Sequence, residues 1–109
     1  MITMIARMRV SPANAPAFEA LMSDVVARTL ENEPGVPYYA WAKSADEPDT
    51  YVVIEVYENA EVHAAHMASP WVQESLPKSV SLVDGGFDIR QYVSDGSEPV
   101  RLTDRKSVV

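Results

Sequence analysis

The chain has no cysteine among its 109 residues. That absence excludes disulfides, thiolate nucleophiles and cysteine-ligated zinc or iron–sulfur centres, and it accords with a reducing compartment. Basic residues are few, nine Lys and Arg against sixteen Asp and Glu, for a net charge of −7. Nucleic-acid affinity comes mainly from neutralising phosphates, so DNA and RNA are not expected partners. Long apolar runs are missing as well. The N-terminal stretch MITMIARMRV puts Arg7 and Arg9 where a signal peptide needs an apolar core, and no run approaches the length that spans a bilayer. The cytoplasm is the expected location, with no membrane partner. Histidine is scarce too, and the two present, His63 and His66, stand three residues apart.

What is present is an ordinary globular mixture, 47% apolar and 23% charged, in a length that suits one domain. Residues 2–10 alternate Ile2, Met4, Ala6, Met8 and Val10 with Thr3, Ile5, Arg7 and Arg9, the period of a strand with one buried rank. Met4, Ala6 and Met8 form its expected inward rank, which leaves Arg7 outside. Ser11 or Asn14 then offers an N-cap, and Pro12 or Pro16 fits a first helical turn. Phe18, Leu21, Met22, Val25, Val26 and Leu30 recur at spacings of three and four, the stripe of an amphipathic helix. ENEPG stops that helix near residues 31–33, since Pro34 disfavours helix at Glu33. YYAWAKS and TYVVIEVYE, joined by the turn residues ADEPD, read as a hairpin. Asn59 caps a short helix through Met67, Ser69 and Pro70 start another to about Leu76, and FDIRQYV supplies the last strand.

Strand, helix, strand, strand, helix, strand is the ferredoxin-like α+β order, in which the helices cover one face of an antiparallel sheet. In the third strand, however, both ranks are largely apolar: Val52, Ile54 and Val56 on one, Tyr51, Val53 and Tyr57 on the other. The bare face needs a cover, and a second copy of the chain is the commonest one, so a homodimer with sheet packed on sheet is expected. Residues 1–93 form the expected domain. Residues 94–109 form a polar tail, either unfolded or reaching the partner subunit.

One run, NEPGVPYYAWAKSADEPDTYVVIEVYENAEVHAAHMASPWV, joins several local signals. Glu33-Pro34-Gly35 stands at the helix stop, Tyr39 in the next strand, Glu47-Pro48-Asp49 in the hairpin turn, Glu55 with Tyr57 at a strand end, and His66 with Ser69 on a helix. In this combination, over residues 2–93, the chain resembles the antibiotic biosynthesis monooxygenase family of dimeric α+β barrels. The resemblance implies a homodimer and a pocket between sheet and helices. As activity it implies oxygenation of a small quinol- or anthrone-like aromatic by molecular oxygen, with no bound cofactor. A non-catalytic small-molecule binding or stress-response protein, or a small-metabolite isomerase, is the alternative. The haem-degrading branch has an Asn in the first strand, a Trp on the second helix and a His ten residues later. Ala6, His66 and Leu76 occupy those positions here and argue against haem chemistry.

His63 and His66 lie one helical turn apart, a spacing metal sites also use, but a third ligand would have to come from Glu55, Glu58 or Glu61. No metal is expected. By its four-residue spacing from Val62, His66 points toward the sheet, with His63 nearer the edge of that face. His66 is either a packed imidazole bonded to a Tyr or Glu, or a base acting on a bound phenol or enol, and it is the candidate catalytic residue. Glu55 is a carboxylate in an apolar strand, so burial raises its pKa unless Arg7, Arg90, His66 or a Tyr hydroxyl pairs with it. Glu55, Tyr51, Tyr57, Met67, Trp71 and Arg90 are the expected pocket residues, with Trp71 foremost among the aromatics.

Overall fold

The structure, a computed structural model, describes residues 1–95. Seven elements follow one another: β1 (Ile2–Arg9), α1 (Ala15–Asn32), β2 (Tyr38–Lys43), β3 (Thr50–Tyr57), α2 (Ala60–Ala68), α3 (Pro70–Leu82) and β4 (Asp84–Val93). The four strands make one antiparallel sheet in the order β2-β3-β1-β4. This is the ferredoxin-like α+β arrangement expected from the sequence, with the second helical region divided into two helices.

The division at Ser69 has a local cause. Ser69 adopts an extended backbone, so it cannot continue α2, and its hydroxyl accepts from the Val72 amide to begin α3. Asn59 caps α2 in the same way, accepting from the Val62 amide at 2.9 Å. Each such cap stabilises a helix by about 1 kcal/mol. The third helix runs beyond the expected end at Leu76, through Pro77 to Leu82. An interior proline removes one helical bond and ordinarily costs about 3 kcal/mol. Packing of α3 against α1, with Val72 and Ser79 buried, carries the helix across that defect.

Helix α1 begins without a side-chain cap. The Ser11 carbonyl instead accepts from the Asn14 and Ala15 amides, while Asn14 Nδ2 donates to the Leu82 carbonyl and ties the start of α1 to the end of α3. Its buried row is Phe18, Met22, Val25 and Thr29. Leu30, expected in the stripe, is exposed, because it lies about 100° around the helix from Thr29.

The inward rank of β1 (Ile2, Met4, Ala6, Met8) meets that of β3 (Tyr51, Val53, Glu55, Tyr57) and the buried side of α1. On the opposite face the register sets Ile5 beside Ile54 and Ile54 beside Ala40, with Thr3, Val56 and Tyr38 in the next row. No helix crosses this second face among the described residues. The polar tail expected over 94–109 lies outside the described residues, apart from Ser94 and Asp95. Ser94 and Met1 exchange backbone hydrogen bonds at 2.8 and 2.9 Å.

Candidate functional site

Between the sheet and all three helices lies a cavity of about 230 Å³. Sheet residues Met4, Ala6, Met8, Tyr39, Val53, Glu55, Phe87 and Ile89 form one wall. Met22 and Val25 of α1, His63, His66 and Met67 of α2, and Val72, Ser75, Leu76 and Ser79 of α3 form the other. The lining is apolar except for a few groups gathered at one end, the usual composition of a small-molecule pocket.

His66 is the centre of that polar end and is only 1% exposed. Its Nδ1 lies 2.9 and 3.1 Å from the two carboxylate oxygens of Glu33. A carboxylate only accepts, so this contact places a proton on Nδ1 and leaves Nε2 of the neutral ring with its lone pair free. The indole of Trp71 donates from Nε1 to Glu33 Oε2 at 3.0 Å, the oxygen that also lies nearer to His66 Nδ1, and so helps to hold the carboxylate. Ser69 secures the helix end, donating from Oγ to the His66 carbonyl at 2.6 Å.

The chain folds this way because of Gly35. A Cβ there would sit 2.7 and 2.9 Å from the two methyls of Val62, so only glycine lets the α1–β2 loop close on α2. The Glu58 amide donates to the Gly35 carbonyl at 3.0 Å and completes the contact. The loop therefore delivers Glu33, the residue that ends α1, to the helix that carries His66.

Nε2 of His66 stands 4.0 Å from Glu55 Oε1. Burial pushes the Glu55 pKa above the ordinary carboxylate value, against the opposing pull of the Tyr57 hydroxyl and of His66 and His63. Tyr57 donates its hydroxyl to Glu55 Oε1. Burial, followed by the nearby carboxylates, pushes the Tyr39 and Tyr57 pKa values far above the ordinary phenol value, so both act as donors and neither as a base. The rings of Tyr39 and Tyr57 pack on His66 with centroids 5.1 and 5.3 Å away, and Tyr57 packs on His63 at 4.8 Å.

Of the residues expected at the pocket, His66, Glu55 and Met67 line the cavity. Tyr57 lies beneath the histidines and reaches the site through Glu55 rather than by lining it. Trp71 also stands behind the wall, because its N–H is spent on Glu33. Tyr51 is at the far end of β3, bonded to Glu19 at 2.5 Å. Arg90 is on the wrong face: it pairs across the sheet with outward-facing Ile5 and lies 3.3 Å from Asp88 in solvent. Arg7 likewise points outward, to Glu47.

The sequence reading passed over Glu33 as a partner of His66, having treated it only as part of the helix stop. A signal was available. A carboxylate at a helix C-terminus opposes the helix dipole by about 0.3–1 kcal/mol, and α1 has no basic residue in its last turn to offset it. Among the described residues no group of three His, Cys, Asp or Glu side chains is arranged to hold a metal ion.

The sequence profile of the antibiotic biosynthesis monooxygenases matches residues 1–76. The chain belongs to that family. Among solved structures it is similar to a Caulobacter crescentus CB15 protein described as a candidate antibiotic biosynthesis monooxygenase, with 26% identity, a TM-score of 0.80, and 84% of this chain and 86% of that one covered. A Deinococcus radiodurans protein described in the same way shares the fold at 19% identity and a TM-score of 0.80, covering 93% of this chain and 99% of that one. A conserved protein from Methanosarcina mazei Go1 does so at 22% identity and a TM-score of 0.79, covering 84% and 89%. No functionally curated protein matches the sequence. No helix among the described residues of this family member is long and apolar enough to cross a membrane.

Proposed function

We propose that the protein is a monooxygenase that oxygenates a small quinol- or anthrone-like aromatic with molecular oxygen, using His66 as base and no bound cofactor. The observation that carries this reading is the Glu33–His66 pair at the wall of an apolar cavity, with Nδ1 committed to Glu33 and Nε2 on the other side of the ring, 4.0 Å from Glu55. Oxygen reacts slowly with neutral phenols and readily with their electron-rich anions. The task of such a site is therefore to make the anion in a place poor in water.

Nε2 takes the hydroxyl proton of a quinol, or the ring C–H proton of an anthrone, and Glu33 with Glu55 stabilises the resulting imidazolium. The substrate anion passes one electron to oxygen, and the two radicals combine to form a carbon–oxygen bond. The hydroperoxide then loses the remaining proton on the same carbon while its O–O bond breaks. One oxygen atom stays as a carbonyl, and the other leaves as water with both protons. Substrate and O₂ thus give ketone or quinone and H₂O, with no external reductant.

The reading includes a homodimer packed through the second sheet face, supported by the row of Ile5, Ile54 and Ala40 with Val56 in the next, which no helix among the described residues covers. With a competent hydroquinone or anthrone, His66→Ala is expected to lower protein-dependent oxygen consumption by about a hundredfold or more, the range that removal of a general base produces. The circular dichroism spectrum of the variant should match the parent's. Turnover within severalfold of the parent would return His66 to a packing role and leave the base unidentified.

A further inference from the structure

The charged groups around the cavity are distributed unevenly. Glu55 lines it, Glu33 lies directly behind His66, and the only other ionisable groups in the lining are His63, His66 and Tyr39. Among the described residues no lysine or arginine lines the cavity. Three cations of the sheet are committed elsewhere, Arg7 to Glu47, Lys43 to Glu19 and Arg90 to Asp88, all with exposed side chains. The side chains of Glu33 and Glu55 are only 12% and 16% exposed, so solvent does little to screen them.

We propose that the cavity selects its ligand by charge: it accepts uncharged two-ring aromatics, admits cationic ones, and rejects those carrying a carboxylate or other anion, with Glu55 as the discriminating residue. This rests on the monooxygenase reading for the identity of the site and adds the substrate class. Size is the first consideration: a closed cavity of about 150 Å³ takes up benzene, and 230 Å³ accommodates a second fused ring. Charge is the second. An anion beside Glu55 either faces its charge or forces a proton onto it, and both outcomes weaken binding. A purely apolar cavity behaves differently, since desolvation alone penalises cation and anion alike. The hydroxyl proton taken by His66 creates no such conflict, because the anion then forms opposite an imidazolium born in the same step.

The test is a binding series on the intact protein with three naphthalenes of one shape: 1-naphthalenemethanol, 1-naphthalenemethylammonium and 1-naphthoate, titrated by calorimetry at pH 7.5. The alcohol should bind, and the ammonium should bind at least tenfold more tightly than the carboxylate. In Glu55→Gln, which keeps an acceptor for Tyr57, that cation-to-anion ratio should fall at least fivefold. Equal weakness of the two ions in the parent, or a ratio unmoved in the variant, would overturn the charge filter while binding of the alcohol left the site reading standing. A protein that binds none of the three would overturn both. Should the variant misfold, the parent series decides alone.

Discussion

Strand β3 carries two tyrosines on one rank, each donating its hydroxyl to a glutamate, and the two pairs behave in opposite ways. At one end Tyr51 bonds to Glu19, and Lys43 stands 3.1 Å from the same carboxylate in a solvent-lined cleft. The Tyr51 bond, followed by that to Lys43, draws the Glu19 pKa below the ordinary value. At the other end Tyr57 bonds to Glu55, with no lysine or arginine near and little water, and burial drives the Glu55 pKa up. Both pairs have the same two functional groups. The difference teaches that a tyrosine donor alone does not set the direction in which a carboxylate's pKa moves: at Glu19 the donor, joined by Lys43, prevails over a small burial penalty, and at Glu55 burial outweighs the same kind of donor.

The comparison can be broken most directly by removing the hydroxyls. Tyr57→Phe strips the poorly solvated Glu55 carboxylate of a bond and should cost about 1.5–3 kcal/mol in urea denaturation. Tyr51→Phe, where water can take over the freed Glu19 oxygen, should cost about 0.5–1 kcal/mol. Equal losses would mean that burial is not what separates the two pairs.

Turnover gives the next contrast. Glu55→Gln removes a charge 4.0 Å from Nε2 that stabilises the imidazolium, and should slow oxygenation of a neutral quinol about tenfold, or about 1.4 kcal/mol of barrier. Glu19→Gln, remote from the cavity, should leave it within twofold.

The smallest effect is in the pH dependence of stability. Glu55 keeps its proton in the folded protein to a higher pH than in the unfolded chain, so the native state loses stability as pH rises from about 4.5 through the raised folded value. Glu55→Gln should therefore gain melting temperature relative to the parent across that window, with no difference below it. Glu19 has the reverse sign. Its contribution is fully present above about 4.5 and is lost as pH falls through the lowered folded value, so Glu19→Gln should be less stable at neutrality and match the parent in acid. Thermal melts from pH 3 to 8 would show the two difference curves diverging in opposite directions.

Much of the fold was legible because local chemistry and global packing agree along the chain. The alternation through Ile2, Ala6 and Met8, the turn in the hairpin and the caps at Asn59 and Ser69 each act within a few residues, where sequence is read most directly. The run of α3 past Leu76 was not legible, because tertiary packing carries the helix through Pro77 against a local penalty. The site was legible only in part. His66 and Glu55 stood out as polar residues on apolar faces, but the partner of His66 lies 33 residues away, and the one local mark of Glu33, a carboxylate at a helix C-terminus, does not say what it meets. Trp71 was the aromatic most expected to line the pocket, whereas its N–H is bonded to Glu33. Arg90 was a matter of strand parity, since a shift of one residue turns a side chain to the other face of the sheet.

The approach of Gly35 to Val62 has a consequence for observing this protein in motion. Loop and helix touch there backbone to side chain, so a lifting of the loop that parts Glu33 from His66 also disturbs the bond from the Glu58 amide to the Gly35 carbonyl. The Glu58 amide is thus a built-in gauge, remote from any ligand. Its rate of exchange with deuterated solvent reports how often the loop lifts from α2, and a ligand that holds His66 in place slows that exchange by the same free energy with which it favours the closed state.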